Sequence, residues 1–273
     1  MTPLKLFFRE TGTGTPLIIL HGLYGMSNNW LSIARELAHH FRVIIPDMRN
    51  HGHSPHDQEH SYMAMREDIL LLFEDLKIKN AILMGHSMGG KTAMFFAAKY
   101  PENLSRLIVV DISPCDLRNS SRGNIHELQH KNILDTLLKL DLKHLQSREE
   151  ADRALSSTIA SLPVRQFLLK NLHRRSDGTF TWLLNLKTLS ESLSSILEGL
   201  HPGMDPEEKF PVEVPTLFIK GELSHYIEPE DEESIRNLFP RSVLAVIYEA
   251  GHWVHAEQPK RFLETIRNFI ENT

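Results

Sequence analysis

The sequence predicts an α/β fold in which a mostly parallel central sheet carries helices on both faces and an inserted helical cap. Three observations lead to this prediction. Short apolar runs alternate with amphipathic helical patterns along the chain. Each run is apolar over its whole length, as in strands that are buried on both faces of a parallel sheet. Residues 113–214 then interrupt the alternation without a convincing strand.

Six apolar runs predict the parallel strands, and Leu4–Arg9 predicts an antiparallel edge strand ahead of them. The runs are Leu17–Leu20, Val43–Ile45, Ala81–Met84, Leu107–Val110, Thr216–Ile219 and Val243–Tyr248. Apolar residues at helical spacing predict the helices Tyr62–Leu76, Met88–Tyr100 and Arg261–Ile270. We therefore predict one core made of residues 1–112 and 215–273.

Residues 113–214 are predicted to form the cap, because a loop of that length without secondary structure is uncommon. Pro163 and Gly178 are expected to separate its helices. Helical periodicity covers Ile125–Leu140, Arg148–Ile159, Val164–Leu172 and Leu183–Leu200. We expect a bound acyl group to lie under this cap, against Leu, Phe and Trp182 side chains.

Composition places the chain among ordinary globular proteins, with 41% hydrophobic and 24% charged residues in 273. The net charge of −5 offers no attraction to nucleic acid or an anionic membrane. Cys115 is the single cysteine, which excludes an intrachain disulfide and fits a reducing compartment. Neither a signal-peptide pattern nor an apolar run of about 20 residues is visible. We expect a soluble cytoplasmic protein, a monomer or small homo-oligomer, without nucleic acid or stable membrane partners.

The most informative stretch is Gly85-His-Ser-Met-Gly89, which directly follows an apolar run and precedes a helical pattern. A G-x-S-x-G sequence in that setting suits a sharp strand-to-helix turn that projects the serine above the sheet. Alone, the pattern also occurs in ordinary glycine-rich turns. The helix that begins at Met88 would direct free N–H groups at the serine oxygen. We predict that Ser87 is a nucleophile.

A second turn, at His21-Gly22, follows the Leu17–Leu20 run. It would let the backbone N–H of Leu23 face the Ser87 site. With the N–H of Met88, it would form an oxyanion hole.

The sequence offers several histidines as the base that activates the serine. His252 lies on a Gly251 turn between the last predicted strand and the final helix, which fits the chain order nucleophile, acid, base. His255 is the alternative, although a structural role is expected for it. His86 is adjacent to the serine and is expected to point away. We predict that His252 is the base.

Four segments resemble the α/β-hydrolase superfamily, from about Leu4 to Asn272, and most of all the YbfF-type bacterial esterases. They are Asp47–Ser54, Gly85–Lys91, Val110–Pro114 and Gly251–Ala256. The resemblance implies hydrolysis of carboxylic esters or acyl-CoA-type thioesters through an acyl-enzyme, without a cofactor.

The resemblance also indicates which acidic residue would orient the base. The superfamily commonly has a Gly-x-x-Asp pattern after the strand that matches Thr216–Lys220, but this chain has Ser224 in place of that aspartate. YbfF-type enzymes share the departure, and their acid follows the preceding strand. The resemblance therefore implies Asp111, with Glu222 and Glu228 as alternatives.

Two further features of the sequence could form sites. The cluster His51, His53, His56 and His60 could suggest a metal, but Gly52 and Pro55 indicate a loop and no H-E-x-x-H pattern exists. We predict no metal and no cofactor. Lys91 could meet an acidic group of a substrate, although we expect a solvated helix lysine.

Two other functions remain open at this point. The same three residues could support carbon–carbon bond hydrolysis or a lyase step, because one fold hosts many reactions. Alternatively, the pocket could serve a non-catalytic receptor for a small molecule.

Overall fold

The computed structural model of the protein describes residues 2–118 and 121–273. Its central sheet has seven strands in the order β1-β3-β2-β4-β5-β8-β9. All neighbouring strands run parallel except β1, which is antiparallel to β3. The strands are β1 Phe8–Thr11, β2 Thr15–Leu20, β3 Phe41–Pro46, β4 Ala81–His86, β5 Leu104–Val110, β8 Thr216–Gly221 and β9 Ser242–Ile247. The predicted mostly parallel sheet is confirmed.

The edge strand β1 begins later than predicted. Its pairing with β3 starts at Phe8, not at Leu4. The backbone N–H of Leu4 instead donates to Asp68, and that of Phe7 donates to the Ser54 hydroxyl. The N–H groups of these two residues therefore bond to side chains, although the Phe7 carbonyl still accepts from the N–H of Asp47 at 2.9 Å.

Helices cover both faces of the sheet and divide the core into two layers. Helices α1 and α11 pack on one face, around buried Trp30, Phe262 and Ile266. Helices α2 and α3 pack on the other, where Phe73 and Phe96 lie ring to ring with centroids 4.9 Å apart. The core helices are α1 Leu31–Leu37, α2 Tyr62–Asp75, α3 Met88–Lys99, α9 Glu232–Leu238, α10 Val254–Glu257 and α11 Pro259–Asn272.

The inserted segment, residues 113–214, contributes no strand to the central sheet within the described ranges. Its described residues form five helices and a two-stranded antiparallel hairpin. These elements are α4 Ser121–Lys139, α5 Arg148–Ser156, α6 Leu162–Leu169, β6 Leu172–Arg174, β7 Phe180–Trp182, α7 Leu186–Glu191 and α8 Leu193–Ile196.

The hairpin and the last two helices correct the sequence prediction. The expectation of no strand in this segment is wrong, and Gly178 lies in the hairpin turn with φ of 87° rather than between helices. The single helix predicted over Leu183–Leu200 is two short helices. Asn185 caps the first by accepting from the N–H of Thr188, and Ser192 separates the two.

None of the helices in the described ranges is both long enough and apolar enough to cross a bilayer.

Candidate active site

The predicted site residues lie together where neighbouring strands of the sheet end. Ser87 follows β4, Asp111 follows β5, Ser224 lies after β8, and His252 comes after β9. These four strands are neighbours and run parallel. Their carboxyl ends therefore meet, as binding sites do in open parallel sheets.

Ser87 occupies a strained turn between β4 and α3. Its φ of 52° and ψ of −119° are unfavourable for a residue with a side chain. The turn requires glycine on both sides. A Cβ atom at Gly85 would come within 2.1 Å of the Gly89 carbonyl oxygen, and one at Gly89 within 2.4 Å of the Leu20 carbonyl oxygen. Ser87 is held there by its N–H, which donates to the carbonyl of Val110 at 3.0 Å.

His252 and Asp111 form a hydrogen-bonded pair. The Nδ1 of His252 lies 2.7 Å from Oδ2 of Asp111, whose side chain is fully buried. Since a carboxylate only accepts, Nδ1 carries the proton and Nε2 is left as the basic nitrogen. The structure thus leaves the imidazole in the tautomer that can receive a proton from a nucleophile.

Other donors fix the Asp111 carboxylate. Oδ1 accepts from the N–H of Gly221 at 2.9 Å, and Oδ2 accepts from the Ser224 hydroxyl. The serine at the usual position of the family's acid therefore binds the carboxylate that the neighbouring strand supplies. The alternative acids do not contact His252: Glu222 accepts from the N–H of Glu249, and Glu228 pairs with His225.

The predicted oxyanion donors are the N–H groups of Leu23 and Met88. Met88 is the first residue of α3, so its N–H has no partner within the helix. Within the described ranges, neither N–H donates to another backbone or side-chain group. Both residues also line one small cavity with Ser87. Both groups are available to a negative oxygen beside the serine.

A cavity of about 210 Å³ lies between the core and the inserted segment, and Ser87 and His252 both line it. Trp30 and Trp253 line it from the core, while Ile133, Val164, Phe167 and Leu168 come from α4 and α6. The expectation that Trp182 lies against this space is wrong: Trp182 is not among the lining residues, and its indole N–H donates to the Leu137 carbonyl. The Ser87 hydroxyl makes no hydrogen bond to the described residues, and such bonds commonly tighten only when substrate binds.

Several imidazoles surround His252, and burial lowers the pKa of each. His86 donates from Nε2 to the carbonyl of His252 at 2.8 Å, and its pKa lies well below the ordinary value. The ring of His255 stacks on Trp30 at 3.9 Å, and burial lowers its pKa to about 3. Burial likewise lowers the pKa of His130 to about 4. These rings stay neutral near pH 7 and add no positive charge beside His252.

Tyr226 is a site residue that the sequence did not indicate. Its ring stacks on His252 with centroids 3.9 Å apart, and its other neighbour, His126, stacks on it at 4.4 Å. Burial and the nearby Asp111 raise its pKa to about 12, so the phenol stays protonated. The stack restricts rotation of the His252 ring.

The expectation for Lys91 is wrong, because the side chain is buried rather than solvated. Its Nζ donates to the carbonyls of Cys115 and Glu198, at 2.7 and 2.5 Å. Burial lowers its pKa to about 7. The lysine thus joins α3 to two parts of the inserted segment that are far apart in sequence.

The histidines of the cluster do not converge, and His60 is buried beside the Asn50 side chain. His51 accepts the N–H of Tyr24 and donates to the Arg49 carbonyl, while His53 and His56 are exposed. Among the described residues, no group of three or more His, Cys, Asp or Glu side chains is placed to hold a metal ion.

The inserted segment also contacts the turn that carries Leu23. Tyr24, next to Leu23, has φ of 62°. Its carbonyl accepts from Nδ2 of Asn171 at 2.8 Å, and its hydroxyl lies 3.2 Å from Nδ1 of His130. The backbone that presents the Leu23 N–H is therefore held from the inserted segment.

We expect Asn171→Leu to lower kcat by about 3- to 10-fold, the value of one neutral hydrogen bond. Steady-state kinetics would measure it, with thermal unfolding as a check on folding. The exposed Asn132→Leu, a matched change on α4, should leave kcat unchanged. Equal rates for both variants would contradict a role of Asn171 in holding the turn.

Comparisons with known proteins agree with this fold. The family model described as alpha/beta hydrolase fold matches residues 15–259. Esterase YbfF of Escherichia coli K12 is 32% identical over 259 residues, which cover 94% of either chain. The mouse protein named sn-1-specific diacylglycerol lipase ABHD11 is 38% identical over 256 residues, 93% of this chain and 80% of the relative.

A solved structure described as a marine microorganism esterase superposes with a TM-score of 0.92 at 42% identity. The match covers 97% of this chain and 99% of that one. The resemblance to YbfF-type esterases that the motifs predict is confirmed. The chain belongs to the α/β-hydrolase family, and the relatives that it resembles are esterases and lipases.

Proposed function

We propose that the protein is a serine hydrolase that cleaves carboxylic esters or acyl thioesters through an acyl-enzyme on Ser87. One observation carries the proposal. The strained turn presents Ser87 to the same cavity that His252 lines, and His252 is bonded to buried Asp111. This arrangement of a nucleophile, a base and an acid that orients the base is the one that activates a neutral hydroxyl.

The reaction would follow from these positions. Nε2 of His252 takes the Ser87 proton while Oγ attacks the acyl carbonyl. The resulting oxyanion accepts from the N–H groups of Leu23 and Met88. Collapse breaks the bond to the leaving alcohol or thiol, which receives the proton from His252. Water, activated by the same nitrogen, then hydrolyses the acyl-enzyme and regenerates Ser87.

The groups around the proposed triad would stabilise the two charges that form during the reaction, the oxyanion and the imidazolium. Each oxyanion donor of this kind is worth about 3–4 kcal/mol of the barrier. Asp111 would stabilise the imidazolium that forms on His252. The neutral rings of His86 and His255 add no charge to oppose it.

The relatives support the ester as substrate class, since one is named an esterase and another a diacylglycerol lipase. We further propose that residues 113–214 act as a cap over a core of residues 1–112 and 215–273. Six residues of the cap line the cavity at Ser87, which supports this division. A cytoplasmic location and a thioester substrate also remain proposals.

A fluorophosphonate probe tests the proposal directly, because it reacts only with an activated nucleophile. We expect one covalent adduct, which peptide mass spectrometry should place on Ser87. Prior denaturation of the protein should abolish the labelling. An unlabelled native protein, or an adduct on another residue, would contradict the proposal and favour a non-catalytic receptor.

A further inference from the structure

Ser87 lines two cavities of very different size. The larger, of about 210 Å³, also contains His252 and Trp253. The smaller, of about 20 Å³, contains Met88 but not His252. Both cavities share Leu23, Ser87, His130 and Tyr226. An ester bound at Ser87 therefore has two cavities for its two limbs, the acyl group and the alcohol group.

The position of His252 decides which limb enters which cavity. The leaving oxygen must receive its proton from the imidazole, so the alcohol limb has to lie on the side that His252 lines. The oxyanion occupies the N–H groups of Leu23 and Met88. The acyl limb then enters the small cavity, which both donor residues line together with Ser87.

Volume limits what the small cavity accepts. One water-sized group needs about 10–15 Å³, so 20 Å³ admits little more than a methyl group. The large cavity has room for about ten or more water-sized groups by the same measure. Its lining of Trp30, Ile133, Phe167 and Trp253 is apolar and aromatic.

Buried hydrogen bonds hold the small cavity at this size. Tyr62 lines it and donates from its hydroxyl to the Ile196 carbonyl at 2.7 Å. Lys91 lines it and donates to the carbonyls of Cys115 and Glu198. Both side chains are buried. A longer acyl chain would have to break these hydrogen bonds. Their loss would leave buried polar groups unpaired, which is unfavourable.

From this geometry we infer that the enzyme selects esters of a short acyl group, acetyl or close to it, with a bulky apolar alcohol. The inference rests on the proposed function, because it assigns the two limbs through the role of His252. It deepens that function by naming the substrate class.

Two isomeric esters test the inference. Benzyl acetate places the ring on the alcohol, and methyl phenylacetate places it on the acyl group, while the leaving alcohols have similar acidity. We expect kcat/KM to be about tenfold or more higher for benzyl acetate, because a ring overfills the small cavity. Equal rates, or faster methyl phenylacetate turnover, would overturn the inference.

A cavity variant adds a second readout. Leu197→Ala enlarges the small cavity and should narrow the ratio between the two esters. Leu193→Ala removes a similarly buried leucine of α8 that lines neither cavity, and the ratio should persist. With the wild-type enzyme, rates should fall from p-nitrophenyl acetate to butyrate to octanoate, and a rise would overturn the inference without any variant. If the enzyme cleaves none of these esters, the result contradicts the proposed function and not the inference alone.

Discussion

Ser87→Ala is expected to lower kcat for ester hydrolysis by about 10⁶-fold, the loss typical when a triad nucleophile is removed. The hydroxyl is the only group of this residue that could attack the acyl carbonyl. Alanine keeps a Cβ atom and the same backbone constraint, so the turn should remain folded. Steady-state kinetics on a p-nitrophenyl ester would measure the loss.

Ser105→Ala is the matched control. Ser105 is half-buried near the amino end of β5, where its hydroxyl donates to the Ala81 carbonyl. Its removal should leave kcat near the wild-type value. A folded Ser87→Ala protein with wild-type turnover would show that another residue attacks the substrate.

Asp111→Asn is expected to lower kcat by about 10⁴-fold. Oδ2 of Asp111 accepts from both Nδ1 of His252 and the Ser224 hydroxyl, and Oδ1 accepts from the Gly221 N–H. An amide can accept at only one of these two positions. In either orientation the negative charge that stabilises the protonated imidazole is lost, and with the amide NH₂ toward Nδ1 the productive tautomer is lost as well. Kinetics across pH 6–9 would measure the loss.

Glu222→Gln and Glu228→Gln are the controls, because these are the other acids that the sequence offers. Neither carboxylate contacts His252, so both variants should keep nearly full activity. Activity that survives Asp111→Asn but is lost in one glutamate variant would transfer the acid role to that residue.

The order of strands and helices in the core could be predicted because each element carries its own pattern. The runs at Ala81 and Leu107 are apolar throughout, and both form strands buried on two faces. The inserted segment was less predictable. Its strands have three residues each, too few for an alternating pattern to show, although the Asp177-Gly178 pair is a hairpin signal.

The contacts that orient the site were harder to foresee, because they join residues far apart in the chain. Tyr226 stacks on His252, and Asn171 reaches the turn at Tyr24. Lys91 lies on the first turns of a helix, where a lysine is ordinarily solvated, yet two parts of the inserted segment cover it. Only packing between elements distinguishes these residues from their neighbours.

The sequence alone determined the parallel α/β core and the turn at Ser87, because apolar runs and paired glycines act over a few residues. Spacing along the chain does not measure distance in space. Only the tertiary structure therefore decided that the carboxylate after β5, and not a glutamate after β8, reaches His252, and that Ser87 stands between a large and a small cavity.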